Sequence, residues 1–156
     1  MSISRMIWSL LVLSLFAACS ASEPASIDIE AARITEPIAG RTVSIGGFDI
    51  TATGEDATLI SVSSEAARRI ELHTMLTEDG VVKMRRLPDG ITIPAGETVT
   101  LGSGGPHLMV FGLGDDLVAG DTMTLTITYE QGAQTQTRSV TSLIQTLGDE
   151  ARNSEN

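Results

Sequence analysis

The chain has 156 residues, with ten Lys and Arg against twenty Asp and Glu, a formal charge of −10, and only two histidines. So acidic a surface argues against nucleic acid as a partner. Three Phe, one Trp and one Tyr are too few for aromatic stacking platforms, so the core has to be aliphatic.

The opening "MSISRMIWSLLVLSLFAAC" carries one positive charge at Arg5, an uncharged run of 13 residues from Met6 to Ala18, and then small residues. This is the layout of a secretory signal peptide. The run is shorter than the roughly 20 apolar residues a spanning helix needs, so residues 1–18 are expected to direct export and be cleaved. The closing "LFAAC" resembles a bacterial lipoprotein signal, which implies that Cys19 is lipidated and becomes the mature N-terminus. Phe16 departs from the aliphatic residue usual at its position. Several acyl chains on one residue give stable attachment where one binds only marginally. Residues 19–26 then form a short polar tether to the domain. The expected location is extracytoplasmic: periplasmic and membrane-anchored.

Cys19 is the only cysteine, so the folded part has no disulfide and no thiolate ligand. The 137 residues beyond it suffice for one domain with a sizeable core. Loss of residues 1–18 removes Arg5 alone, leaving nine basic against twenty acidic residues and a formal charge of −11.

No segment offers a long helical stripe, and "SIDIEAARITE" is the one stretch with room for a helical turn. After it, turn signals ("TGED", "EDG", "PDG", "PAGE", "GSGGP", "GDD", "AGD", "EQGA") separate short runs rich in Val, Ile, Thr and Leu. "TVSIGGFDITA", "ATLISVSS", "RRIELHTM", "VVKMRRL", "TVTLG", "HLMVFGL", "TMTLTITYE" and "QTQTRSVTSL" are predicted strands. Seven to nine short strands at this spacing predict an all-β Greek-key sandwich or barrel over residues 27–145. Residues 146–156 lack apolar periodicity and are expected to be a disordered tail.

Both histidines and three of the four methionines beyond the signal fall in "ELHTMLTEDGVVKM" and "HLMVFGL". Strand side chains at i and i+2 share a face, so His73 pairs with Met75 and His107 with Met109. "LTEDGVV" reads as a hairpin loop that brings Met84 back beside the strand of His73. Ile70 and Leu72 are expected to face the core, leaving Glu71, His73 and Met75 on the other side. Glu71 is either a partner that orients His73 or, more simply, a surface carboxylate. Isolated Met123 is assigned to the core.

Thioether sulfur is soft, uncharged and suited to Cu(I), while imidazole serves copper and zinc alike. Methionine needs no deprotonation and cannot form a disulfide in an oxidising compartment, although it is open to sulfoxide formation. The bland reading, methionines as core filler and histidines as ordinary polar residues, is weakened because each histidine has a methionine two places on.

The stretch "RRIELHTMLTEDGVVKMRRLPDGITIPAGETVTLGSGGPHLMVFGL" resembles periplasmic copper chaperones of the PCuAC type, whose signature is His, ten residues, Met, about twenty-one residues, then His-x-Met. Ten residues separate His73 from Met84, and twenty-two separate Met84 from the closing His107-Leu108-Met109, one more than the pattern. The extra residue is assigned to "GSGGP". The family's asparagine-containing segment is replaced by "ITATGEDA", a second methionine often found before Met84 is Val82, and a histidine- and methionine-rich tail is lacking. The resemblance spans roughly residues 40–130. It implies a cupredoxin-like barrel that binds one Cu(I) through His73, Met84, His107 and Met109, with Met75 a possible extra ligand. It also implies transfer to a copper-accepting protein, such as a cytochrome oxidase subunit or a Sco-type chaperone, during oxidase copper-centre assembly.

Competing readings are weaker. A blue-copper electron carrier needs His₂Cys, and the domain has no cysteine. A lipid-anchored β-sandwich with no metal role remains the alternative. An enzyme is not expected: neither GxSxG nor a P-loop occurs, and two histidines with methionines suit a zinc hydrolase poorly.

Overall fold

The computed structural model describes residues 23–38 and 40–149. Cys19 and the segment expected to be a signal peptide lie outside the described residues, as does the tail beyond residue 149. The described chain is almost all β: β1 (Ser26–Thr35), β2 (Val43–Thr53), β3 (Ala57–Ser63), β4 (Ala67–Glu78), β5 (Val81–Arg86), β6 (Ile91–Ile93), β7 (Thr98–Thr100), β8 (His107–Leu113), β9 (Thr122–Gln131) and β10 (Gln134–Gln145).

Hydrogen bonding runs in the order β5-β4-β8-β2-β1-β10-β9-β3-β6, with β7 on β2. Strands distant in sequence, such as β4 and β8, therefore become neighbours, and the sheet folds over on itself as a Greek-key sandwich. Alternation explains why. On β9, Met123, Leu125, Ile127 and Tyr129 are buried in turn between more exposed neighbours, and on β2 Phe48, Ile50 and Ala52 do the same. These side chains meet Leu59, Ile93, Leu108, Val110 and Ile144 in one apolar cluster whose members all lie between Ile27 and Ile144. Met123 is in it, as expected.

Two elements differ from the sequence reading. "SIDIEAARITE" holds no helical turn; it is β1, paired with β2, with a register shift between Glu30 and Arg33 where Ala31 takes φ 50°. The Glu-Ala-Ala-Arg run has helical propensity, but burial of Ile27 and Ile34 against the core decides the outcome. The short β6 was hidden by its length of three residues between Gly90 and Pro94, although Ile91 and Ile93 fill the core.

Two close approaches position the site. Leu101 N–H donates to Phe48 O at 2.8 Å, and Gly102 N–H to Pro106 O at 2.8 Å, which pins residues 102–106 as a closed loop immediately before β8. Gly47 lies under this loop, where a Cβ would overlap the Leu101 carbonyl. At the same end of β8, β4 outruns it. Residues 67–73 pair with β8, whereas residues 74–78 pair only with β5, so the β4–β5 hairpin projects as an arm.

Gly47→Ala should cost about 3 kcal/mol in urea unfolding, the upper part of the range for overpacking, because backbone cannot rotate away from the added methyl. Gly105→Ala, where a Cβ meets nothing within 4 Å, should stay within about 0.5 kcal/mol of the parent.

Candidate metal centre

The register between β4 and β8 puts His73 directly opposite His107, and Glu71 opposite Met109; on the other flank, Met75 stands opposite Met84 and His73 opposite Arg86. Directly opposed residues in an antiparallel pair share a face. Leu72, Leu108 and Val110 point into the core, so His73, His107, Met75, Met84, Met109 and Glu71 all lie on the outer face. The i, i+2 reasoning therefore holds.

His73 is the hub. His107 faces it across one ladder, with ring centroids 6.2 Å apart and planes tilted by 43°. Met109 and Met84 each stand one diagonal step from it, about 7–8 Å between Cα positions, but on opposite sides of β4. Met75 is next along the strand. The two histidines are thus brought together directly, and the methionines surround them at one step's remove.

Burial is graded across the site. His107 is 2% exposed, the His73 side chain 15%, and Met84 42%. Each imidazole has one nitrogen engaged. The His73 Nε2–H donates to Glu71 Oε2 at 3.0 Å, and the His107 Nδ1–H to the Gly105 carbonyl at 2.8 Å. A carbonyl oxygen can only accept, so neutral His107 carries its proton on Nδ1 and leaves Nε2 with a free lone pair. The remaining nitrogens, His73 Nδ1 and His107 Nε2, are buried and have no hydrogen-bond partner. Two orphan acceptors on adjacent strands are costly unless something occupies them.

Glu71 is not a simple surface carboxylate: its side chain is 13% exposed, and Arg69 Nε and Arg86 Nε lie 3.1 Å and 3.8 Å from its Oε1. The hydrogen bond from His73 chiefly holds its pKa below the ordinary carboxylate value; desolvation opposes it, and the charges of Arg69 and Arg86 each add a smaller lowering. It stays an acceptor at neutral pH. Arg69 itself stacks over Phe111, 4.3 Å from the ring centre.

Among the described residues, no group of three or more His, Cys, Asp and Glu is placed to hold a metal ion. The sequence pointed to Glu71 through its i−2 position, and the hairpin register brings in Arg86. The Gly105 carbonyl had no signal in the letters, since any residue supplies one.

The family described as "Putative lipoprotein LpqE-like" matches residues 27–141. This chain belongs to the LpqE-like family. A curated relative, "Putative lipoprotein Lxx21020" of Leifsonia xyli subsp. xyli, is 34% identical over 94 residues, which cover 60% of this chain and 56% of the relative. The match thus spans little more than half the relative's length. Among solved structures, the copper-bound PCuAC domain from PmoF2 superposes with a TM-score of 0.63 at 19% identity, covering 80% of this chain and 97% of that one. Cu(I)-DR1885 from Deinococcus radiodurans gives 0.62 at 22% identity, covering 83% and 84%. At such identities the likeness establishes the fold: the LpqE-like chain has the cupredoxin-like β-barrel of PCuAC domains.

Long-range ¹H–¹⁵N spectra at pH 8 should show His73 as the Nε2–H tautomer and His107 as the Nδ1–H tautomer. Glu71→Ala should leave His107 unchanged and give His73 a mixture of both.

Proposed function

We propose that this LpqE-like protein is a lipid-anchored extracytoplasmic copper chaperone that holds one Cu(I) at the His73–His107 pair and hands it to a partner. The observation that carries the reading is the pair of unpartnered buried nitrogens, His73 Nδ1 and His107 Nε2, on opposed residues of β4 and β8. With metal–imidazole bonds of about 2.0 Å and about 1.1 Å from ring nitrogen to centroid, two rings sharing one ion have centroids within about 6.2 Å. The observed 6.2 Å fits a nearly linear arrangement.

The donor set selects the ion. Two neutral imidazoles with Met109 and Met84 offer soft, uncharged ligands suited to Cu(I) and poor for Mg, Ca or Mn. Copper in related proteins supports the assignment: the PmoF2 domain is described as copper-bound and DR1885 as the Cu(I) form. Met109 would join the set from the strand of His107, two residues on, and Met84 would close it from the hairpin arm, with Met75 opposite it as a reserve donor.

Release follows from the gradient of exposure. A partner's ligand meets Met84 first, displaces it, and works inward toward buried His107, so the ion is never free. Glu71 and the Gly105 carbonyl keep both rings aimed throughout, as such partners do in metal sites generally. No bond other than metal–ligand bonds changes, so no enzyme chemistry is required.

The family's lipoprotein description supports lipidation at Cys19 and export. The recipient follows from the PCuAC resemblance alone: a periplasmic copper acceptor such as a cytochrome oxidase subunit or a Sco-type chaperone.

His107→Ala or Met109→Leu should weaken Cu(I) retention against a chromogenic chelator by about 100-fold or more, and Glu71→Ala by about tenfold, since loss of orienting partners typically costs 10–100-fold. Retention unchanged in both ligand variants would favour a module without a metal role.

A further inference from the structure

We propose that the outer face of the β4–β5 arm is the docking surface for the copper-exchanging partner, and that this partner is a protein presenting carboxylates around an apolar centre. The inference rests on the copper reading of the His73–His107 site, which this face adjoins.

Charge is distributed unevenly. Five of the ten Lys and Arg (Arg68, Arg69, Lys83, Arg85 and Arg86) fall within nineteen residues on β4 and β5, in a chain of formal charge −10. On the outer face, Arg69 and Arg86 share the single carboxylate of Glu71, and their side chains remain 59% and 64% exposed. Two guanidinium groups on one carboxylate leave a net positive rim at the metal site. Beside it the arm exposes apolar surface: Val82 is 59% exposed and Met84 42%, and both project to the same face as His73 by the register Thr77↔Val82 and Met75↔Met84. An apolar centre with a charged rim is the anatomy of a protein interface, and the sign of the rim selects an acidic partner.

Other occupants fit less well. The free edge of β5 carries Lys83 and Arg85, both paired with Glu78 at 2.8 Å and 3.1 Å. Charged side chains there block a further strand, so docking is face-on. A second copy would oppose like rims. A bilayer is opposed by the position of the N-terminus. Ser26 pairs with Thr53, and the register through β8 puts the tip of the arm at that same end of the sheet. Glu23 before β1, Glu55 and Asp56 after β2, Asp79 in the β4–β5 turn and Glu97 before β7 all fall at that end, so the end that a tether at Cys19 would bring toward anionic headgroups repels them.

The test uses the purified full chain loaded with Cu(I) and two synthetic dicysteine peptides of equal copper affinity, one flanked by Asp and Glu, the other by Lys. Stopped-flow transfer at low salt should be about tenfold faster to the acidic peptide, and the difference should vanish near about 0.5 M salt. Val82→Glu should slow transfer to the acidic peptide about tenfold while leaving equilibrium Cu(I) affinity unchanged. Equal rates to the two peptides, or a Val82→Glu protein of normal affinity and normal rate, would overturn the docking proposal and leave the copper site standing. A wild-type protein that retains no Cu(I) would overturn both. Self-association in sedimentation, or binding to phosphatidylglycerol vesicles, that Val82→Glu abolishes would reassign the face to a second copy or to a membrane and overturn it as well.

Discussion

Everything at the outer face depends on the single register that sets His73 against His107 across the β4–β8 ladder. A slip of β4 by one residue against β8, which β2 holds from its other side, would turn His73 into the core and bring Leu72 out to solvent, so burial of Leu72 against Leu108 enforces the pairing. The same alternation that builds the core thereby fixes the site. The second nitrogens of the two rings add orientation to position: one is held by a carboxylate, the other by the Gly105 carbonyl of the closed loop under which Gly47 lies.

Much of this was legible in the letters because strands obey a period of two. His73 and Met75, or His107 and Met109, share a face by arithmetic, and "TEDG" announces the hairpin that returns Met84 beside Met75. What spacing cannot supply is which distant strands become neighbours. That β4 lies against β8, and that His73 meets His107 rather than a residue two places along, follows from the packing of the whole sandwich. Its boundaries are harder still. β1 was obscured because Ala and Glu favour helices while the core demanded a strand, and the conflict is resolved by a bulge at Ala31. β6 is three residues long, below the length at which alternation can be recognised.

The environment of Glu71 shows a similar limit. Its position on the histidine face was predictable, but its near-burial under Arg69 and Arg86 was not, because that depends on where the hairpin returns and on Arg69 lying against Phe111. Two cations on one anion convert a residue that could have been solvated into a fixed acceptor. The ring of His73 is then held by charge as well as by packing, and fixed acceptors of this kind keep a ligand ring preorganised whether or not an ion is present.

The charge balance at the face also bears on which oxidation state the proposed site would tolerate. Metal ligation requires imidazole in its neutral form and thioethers carry no charge, so the nearest fixed charges are one carboxylate and two guanidinium groups, a local surplus of one positive charge before any ion arrives. Adding Cu(I) raises the surplus to two, and adding Cu(II) raises it to three. Coulomb repulsion between the ion and the rim scales with the ion's charge, and solvent screens it where the guanidinium groups are exposed. Arg69 and Arg86 therefore penalise the cupric state about twice as heavily as the cuprous one, in the direction already set by soft sulfur. The same repulsion weakens the cuprous complex somewhat. A carrier whose cargo must leave is better served by that arrangement than by an anionic cage of carboxylates or thiolates.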